Sequence, residues 1–137
     1  MAYWLVKSEP GTYGWDSMVK DRRTKWDGVR NHQAANNLKA MKKDDEVLFY
    51  HSGDSTEVVG IVRVVKPYYP DPSDATGKFG MVDLEAVKPL SRPVPLTAIK
   101  ANPSIRDFAL VRQSRLSVVP VTADQWKSIL KMGAAKA

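Results

Sequence analysis

The chain has 137 residues and a formal net charge of +6, with 43% hydrophobic and 26% charged residues and no cysteine. This is the composition of a soluble globular chain, long enough to bury a core without a disulfide or a metal. Disulfides, thiol catalysis and cysteine zinc sites are excluded, and a reducing compartment is the simplest fit: the cytoplasm, or the nucleus in a eukaryote.

Tyr3 to Lys7 alternates and is β-prone, so a first strand is expected there rather than a signal peptide. Pro10-Gly11 ends it, and Trp15, Met18 and Val19 fall at helical spacing, which predicts a short helix from about Gly14 to Lys20. Lys20 to Lys25 reads as a charged loop and Trp26 to Arg30 as irregular or briefly extended. Asn31 is placed to cap a helix whose buried face is Ala34, Ala35, Leu38 and Met41. Asp44-Asp45 turns the chain into a strand from Glu46 to His51, and Ser52 to Ser55 forms the next turn. Glu57 to Val65 is rich in β-branched residues and reads as a strand. Pro67 to Gly77 reads as a long loop, with Pro70 and Pro72 forbidding a central strand. Phe79 to Lys88 alternates, with Val82, Leu84 and Ala86 on one face.

Pro89 to Pro95 reads as a turn-rich connection, and Leu96 to Lys100 as one helical turn. Asn102-Pro103 matches a cap followed by proline at the first helical position, with Ile105, Phe108 and Ala109 inward. Leu116 to Val121 is the last expected strand. Thr122 and Gln125 form a capping box for a terminal helix that buries Trp126, Ile129 and Leu130, with residues 133–137 frayed. About five strands with short helices predict one small mixed or antiparallel sheet that can curl into a barrel. No apolar run approaches the roughly 18 residues of a membrane span. No linker or repeat breaks the chain, so one domain over residues 1–137 is expected.

The positive charge is spread out: residues 1–70 carry 11 basic and 9 acidic groups, and residues 71–137 carry 10 and 6. A basic domain without a Lys/Arg tail points to a folded site for any nucleic acid rather than a flexible arm. Three stretches mix aromatic rings with hydrogen-bonding side chains at or near strand ends: residues 3–10, 26–31 and 49–52. That mix suits gripping a flat polar ring. Bond-breaking chemistry is poorly served. No glycine-flanked serine elbow or glycine-rich phosphate loop is present, and His32 and His51, 19 residues apart, form no zinc motif.

These stretches resemble the EVE domain, also described as the thymocyte nuclear protein family, within a PUA-like group that includes the YTH readers of methylated adenine. The resemblance is carried by Tyr-Trp-Leu-x-Lys-Ser-Glu-Pro at 3–10 and Trp-x-Gly-Val-Arg-Asn-x-Gln-Ala-x-Asn-Asn-Leu at 26–38. Phe-Tyr-His-Ser at 49–52, Gly-Ile-Val at 60–62, Met-Val-Asp at 81–83, Arg-Pro-Val-Pro-Leu at 92–96, Lys-Ala-Asn-Pro at 100–103 and Arg-Leu-Ser-Val at 115–118 extend it. It covers residues 3 to about 130. The loop from Tyr68 to Lys78 reads shorter than in many members, and residue 32 is His where many have Tyr.

The resemblance implies an α+β, PUA-like fold: a barrel-like mixed sheet of about five to six strands flanked by short helices. It implies a non-catalytic module without cofactor or metal that holds a modified base, with modified cytosine in DNA favoured and RNA open. Trp26 is the expected stacking wall, against the plainer alternative of a core tryptophan. Of Tyr50, His51 and Ser52, strand alternation allows only one face to line a cavity. Lys7, Ser8 and Glu9 follow the first strand. The Ser8 hydroxyl can bond a base edge and the Glu9 carboxylate can accept from a cytosine amino group, or Glu9 can pair with Arg30. Asn31 reads a base edge or caps its helix, and Arg30 holds phosphate or braces Glu9. Arg112, Arg115 and Ser117 are expected to touch the phosphate backbone, against a plain solvated surface. A nucleoside-binding or protein-interaction module is the rival class.

Overall fold

The computed structural model describes residues 2–53, 56–105 and 107–134. Its strands are β1 (Tyr3–Ser8), β2 (Arg23–Trp26), β3 (Glu46–His51), β4 (Glu57–Pro70), β5 (Gly80–Pro95) and β6 (Val118–Val121). Its helices are α1 (Pro10–Tyr13), α2 (Trp15–Asp21), α3 (His32–Ala40), α4 (Leu96–Ala101), α5 (Ala109–Arg112) and α6 (Ala123–Met132), with a 3₁₀ turn at Pro103–Ile105. The strands form one mixed sheet in the order β2-β5-β4-β3-β1-β6. Only β1 and β3 run parallel, Lys7 opposite Tyr50 and Ser8 opposite His51. Parallel neighbours need a long crossover, and α1 to α3 supply it. Short helices therefore flank a six-stranded mixed sheet, the class the resemblance implies.

Three expectations are corrected. Arg23–Trp26, expected as a charged loop and an irregular stretch, is an edge strand whose Thr24 and Trp26 turn inward while Arg23 pairs with Glu85 at 2.8 Å. The stretches 67–70 and 89–95, expected as loop and turns, belong to β4 and β5. Their prolines sit at strand ends or beside shifts in register, between Val58 and Gly60 for Pro89 and Pro93 and between Lys66 and Tyr69 for Pro67, where the ladder is already interrupted. The first strand ends before Pro10, as expected, and Pro10 opens α1 at its first turn. Of the turn expected at 52–55, residues 54 and 55 lie outside the described residues, as do 135–137 of the tail.

Both cap expectations match the geometry. Asn31 Oδ1 accepts from the Ala34 N–H at 2.9 Å, and Ala34, Ala35 and Leu38 are buried under α3. Thr122 Oγ1 accepts from the Gln125 N–H, and Gln125 Oε1 from the Thr122 N–H. Leu5, Val6, Leu48, Phe49, Val62 and Leu84 are buried, and since Leu5/Val6 and Leu48/Phe49 are neighbours on their strands, the centre of the sheet is covered on both faces. Asp45, 3% exposed, accepts from Trp4 Nε1 and the Lys42 N–H, which ties the start of β1 to the turn before β3.

Gly60 lets Trp15 pack on β4, because a Cβ there would come within 2.4–2.5 Å of three indole carbons. The ring cannot swing clear. It meets Phe49 at 5.4 Å, and the residue's backbone is held in turn by its N–H, which donates to His51 Nε2 at 3.0 Å. Gly60→Ala is therefore expected to cost about 2–3 kcal/mol through overpacking. Thermal denaturation checks this, and an unchanged melting temperature would contradict it.

Candidate functional site

One cleft is lined by β2, at one end of the strand order, and by the end of β1 and the residue just before β6, at the other. The cleft has a volume of about 550 Å3. It is lined by Lys7 and Ser8 at the end of β1, Thr12 and Tyr13 of α1, Thr24, Lys25 and Trp26 of β2, residues 27–31, and Ser117 just before β6. Parallel pairing with β3 brings the end of β1 here, and antiparallel pairing with β5 brings β2.

Trp26 is half-buried. Its ring meets Phe49 at 5.7 Å and 80°, and Tyr13 at 6.5 Å and 77°. Edge contacts of this kind leave ring faces available. Since Tyr13 stands nearly perpendicular to Trp26, the two cannot sandwich one flat ligand face to face. A flat ligand stacked on one ring would meet the other with its edge. Tyr13 is pinned by its hydroxyl, which donates to Asp21 at 2.8 Å, and burial raises its phenol above the usual value.

Lys7 supplies the nearest cation. Its Nζ donates to the Ser114 carbonyl at 2.8 Å and lies 5.7 Å from the Tyr50 ring centre, and burial lowers its pKa. Its backbone N–H donates to the Ser117 carbonyl at 3.0 Å, which locks the two sides of the cleft together. Ser8 Oγ donates to the Tyr13 carbonyl at 2.6 Å. The lining carries Lys7, Lys25 and Arg30 against Asp27, a positive balance suited to an anionic ligand.

Arg30 and the loop before α3 are fixed by Asp71. This carboxylate is 3% exposed and accepts from the Gly28 N–H at 2.9 Å, Arg30 Nη1 at 3.2 Å, and the Ser73 N–H and Oγ at 2.8 and 2.6 Å. Burial pushes its pKa up, but the hydrogen bonds from Ser73, Gly28 and Arg30 outweigh that and hold it well below the usual carboxylate range. Gly28 has φ +76°, a conformation that favours glycine, and it presents its N–H to Asp71. Arg30 also donates to Ser73 Oγ at 3.0 Å, so its ion partner is Asp71, not Glu9.

Of the twelve site candidates, the cleft gathers Lys7, Ser8, Trp26, Arg30, Asn31 and Ser117. Arg112 and Arg115 line a smaller neighbouring cleft of about 330 Å3 with Gln33, Gln113, Ser114 and Leu116, joined to the first through Asn31. Arg112 lies 3.7 Å from Asp107, both well exposed, a weak tie. Asn31 spends its Oδ1 on the helix cap and lines both clefts at their junction. Glu9 stands exposed at the start of α1, outside the lining.

Tyr50, His51 and Ser52 also lie outside the lining, one layer behind it. Tyr50 is 2% exposed beneath Lys7, its phenol raised by burial and bonded to Thr56. His51 caps α2, and the Ser52 N–H donates to the Ser8 carbonyl at 2.9 Å. Sequence reasoning missed Tyr13, Thr24, Gln33 and Asp71. Only Asp71 left a local trace: Asp-Pro-Ser at 71–73 is a turn signature, and the turn bonds from Ser73 to Asp71 form.

A family model described as the EVE domain matches residues 2–132. Thymocyte nuclear protein 1 of the mouse is 34% identical, over 95% of this chain and 73% of its own length. A protein of Rhodopseudomonas palustris solved by NMR is 50% identical, with TM-score 0.93, covering 98% of this chain and 94% of that one. Human THYN1 protein in complex with DNA containing 5-methylcytosine is 29% identical, with TM-score 0.86 and full coverage of both chains. The fold alone extends to a YTH domain of Zygosaccharomyces rouxii, 18% identical with TM-score 0.60, over 99% of this chain and 86% of that one.

Proposed function

This chain belongs to the EVE domain family, and on that premise we propose that it is a non-catalytic nucleic-acid-binding module whose cleft holds a modified base, a modified cytosine in DNA. The observation that carries the reading is the half-buried Trp26 indole, set in a base-sized, positively lined cleft. Human THYN1, the same fold at full coverage, was solved with 5-methylcytosine DNA, which supports the choice of ligand.

A base entering the cleft leaves its stack, and stacking on an aromatic face returns about 1–3 kcal/mol. Trp26 supplies that face and Tyr13 the edge contact. Ser8, Lys7 and the Asn31 amide offer bonds to the base's polar rim. Arg30, Arg112, Arg115 and Ser117 take the sugar–phosphate chain, and Glu9 stands at the outer rim. Tyr50, His51 and Ser52 act by positioning Lys7 and Ser8. The methyl group adds little apolar area, about 0.8 kcal/mol per buried carbon group, so preference over unmodified cytosine is about fourfold.

The reading as a non-enzyme is supported by how the would-be reactive groups are spent. Ser8 donates to a backbone carbonyl, His51 caps a helix outside the cleft, and His32 lies against Phe79. One EVE domain over residues 1–137 is proposed on the same footing. So is a cytoplasmic setting, or a nuclear one in a eukaryote, supported by the likeness to thymocyte nuclear protein 1.

The test is fluorescence titration with matched single- and double-stranded oligonucleotides carrying cytosine, 5-methylcytosine or 5-hydroxymethylcytosine, alongside the free nucleosides and an RNA of the same sequence. The expected result is preference for a modified DNA strand over both nucleoside and RNA, weakening with salt. Equal affinity for nucleoside and oligonucleotide, without salt dependence, would make this a metabolite binder.

A further inference from the structure

A row of two cations, Arg30 and Lys39, with the His32 imidazole between them, each seated on an aromatic ring, leaves the main cleft at Arg30 and runs along α3. The Arg30 guanidinium lies 5.6 Å from the Phe79 ring centre. His32 lies against the same ring at 5.2 Å. Further along α3, Lys39 Nζ lies 5.6 Å from the Tyr68 ring, and Tyr68 covers Gly80, the residue after Phe79. Arg30, His32 and Lys39 are exposed, and the two rings are half-buried. Among the described residues, His32 and Lys39 enter no side-chain hydrogen bond or ion pair that would spend them. The nearby carboxylates are occupied: Asp71 is buried beneath Arg30, and Asp74 accepts from the N–H groups of Thr76 and Phe79 in its own loop.

From this arrangement the geometry points to a second contact surface: the Arg30–Phe79–His32–Tyr68–Lys39 row follows the sugar–phosphate chain of the strand that flanks the read base. The inference rests on the base-reading function proposed above. Cations interleaved with rings are what a groove for a nucleic-acid strand requires, charge for phosphate and π-faces for sugar or base. The row also has the length. From His32 to Lys39 is seven residues of helix at about 1.5 Å each, about 10 Å. That spans about three steps of a strand at about 3.4 Å per charge. It departs by Arg30, whereas Arg112 and Arg115 lie in the cleft reached through Asn31, so the two routes give the strand an entry and an exit.

The experiment measures fluorescence anisotropy for a trinucleotide and a 12-mer, each with central 5-methylcytosine, against the full chain and its Lys39→Glu and Lys39→Arg variants. Lys39 is exposed on a helix surface, so both variants are expected to keep the wild-type melting temperature. The wild type is expected to bind the 12-mer at least about 10-fold tighter than the trinucleotide. Lys39→Glu is expected to lose about 5- to 10-fold on the 12-mer alone and to flatten its log K against log salt slope by about one unit, with Lys39→Arg restoring both. A 12-mer that gains nothing over the trinucleotide, or a Lys39→Glu variant with wild-type affinity and slope, overturns the row while leaving base reading intact. Failure of the wild type to bind either probe overturns both.

Discussion

Trp26→Ala is expected to weaken binding of a 5-methylcytosine oligonucleotide by about 10- to 100-fold, the worth of one base–aromatic stack. The variant is expected to fold. Trp26 sits on an edge strand, half-buried, and its partners Phe49 and Tyr13 are held by other contacts: Phe49 by Trp15 and His51, Tyr13 by Asp21. Trp26→Phe keeps a smaller face and should retain most of the affinity. The physical content of the claim is that the indole does more for the ligand than for the core. If titration found full affinity in a folded Trp26→Ala protein, the base would have to stack elsewhere.

The second large effect is expected far from that ring in sequence. Asp71→Ala removes the acceptor for the Gly28 N–H, Arg30 and both Ser73 donors. With these groups left unpaired, chemical denaturation is expected to show a loss of about 2–3 kcal/mol. Affinity for the modified oligonucleotide should fall about 10-fold or more, since the loop that carries Arg30 and Asn31 loses its anchor. The effect carries a pH signature. The Asp71 carboxyl is depressed in the folded state, so its contribution is present above its unfolded value of about 4 and is lost as pH falls below that. The gap between wild type and Asp71→Ala should therefore narrow by about 1 kcal/mol on going from pH 7 to pH 3. A gap that stays constant over this range would show that the ionised carboxylate is not what holds the loop.

Asp71 also marks the limit of what the sequence discloses. The cap at Asn31 and the box at Thr122 and Gln125 were legible, because a cap is a local exchange of hydrogen bonds within three residues. The buried face of α3 was legible for the same reason. Trp26, Lys7 and Ser8 stood out as a mix of ring and polar groups, and family resemblance gave that mix a meaning. That Asp71 reaches back 43 residues to Gly28 was not legible, because turn chemistry shows how a loop folds but not which backbone it faces. The edge strand at Arg23–Trp26 was hidden by its charges. Its outward face is Arg23 and Lys25, and only the pairing with Glu85 and Asp83 reveals the alternation.

The long strands β4 and β5 were cut short by the same kind of reasoning. Their prolines signal breaks, and the breaks are taken up as shifts of register within a continuing ladder. Tyr50 shows the converse. Its place in an aromatic stretch suggested a ligand-facing ring, yet parallel pairing with Lys7 sets it under the lysine stem, where it fixes the cation instead of meeting solvent.

The most direct test of the central claim, that the cleft between β1 and β2 holds the base, is an amide NMR titration of the wild-type chain with a short single strand carrying one 5-methylcytosine. The account predicts the largest shifts at Lys7, Ser8, residues 24–31 and the Trp26 indole N–H, with smaller shifts at Arg112 and Arg115. Saturable shifts confined to another face, with the Trp26 indole unmoved, would contradict it.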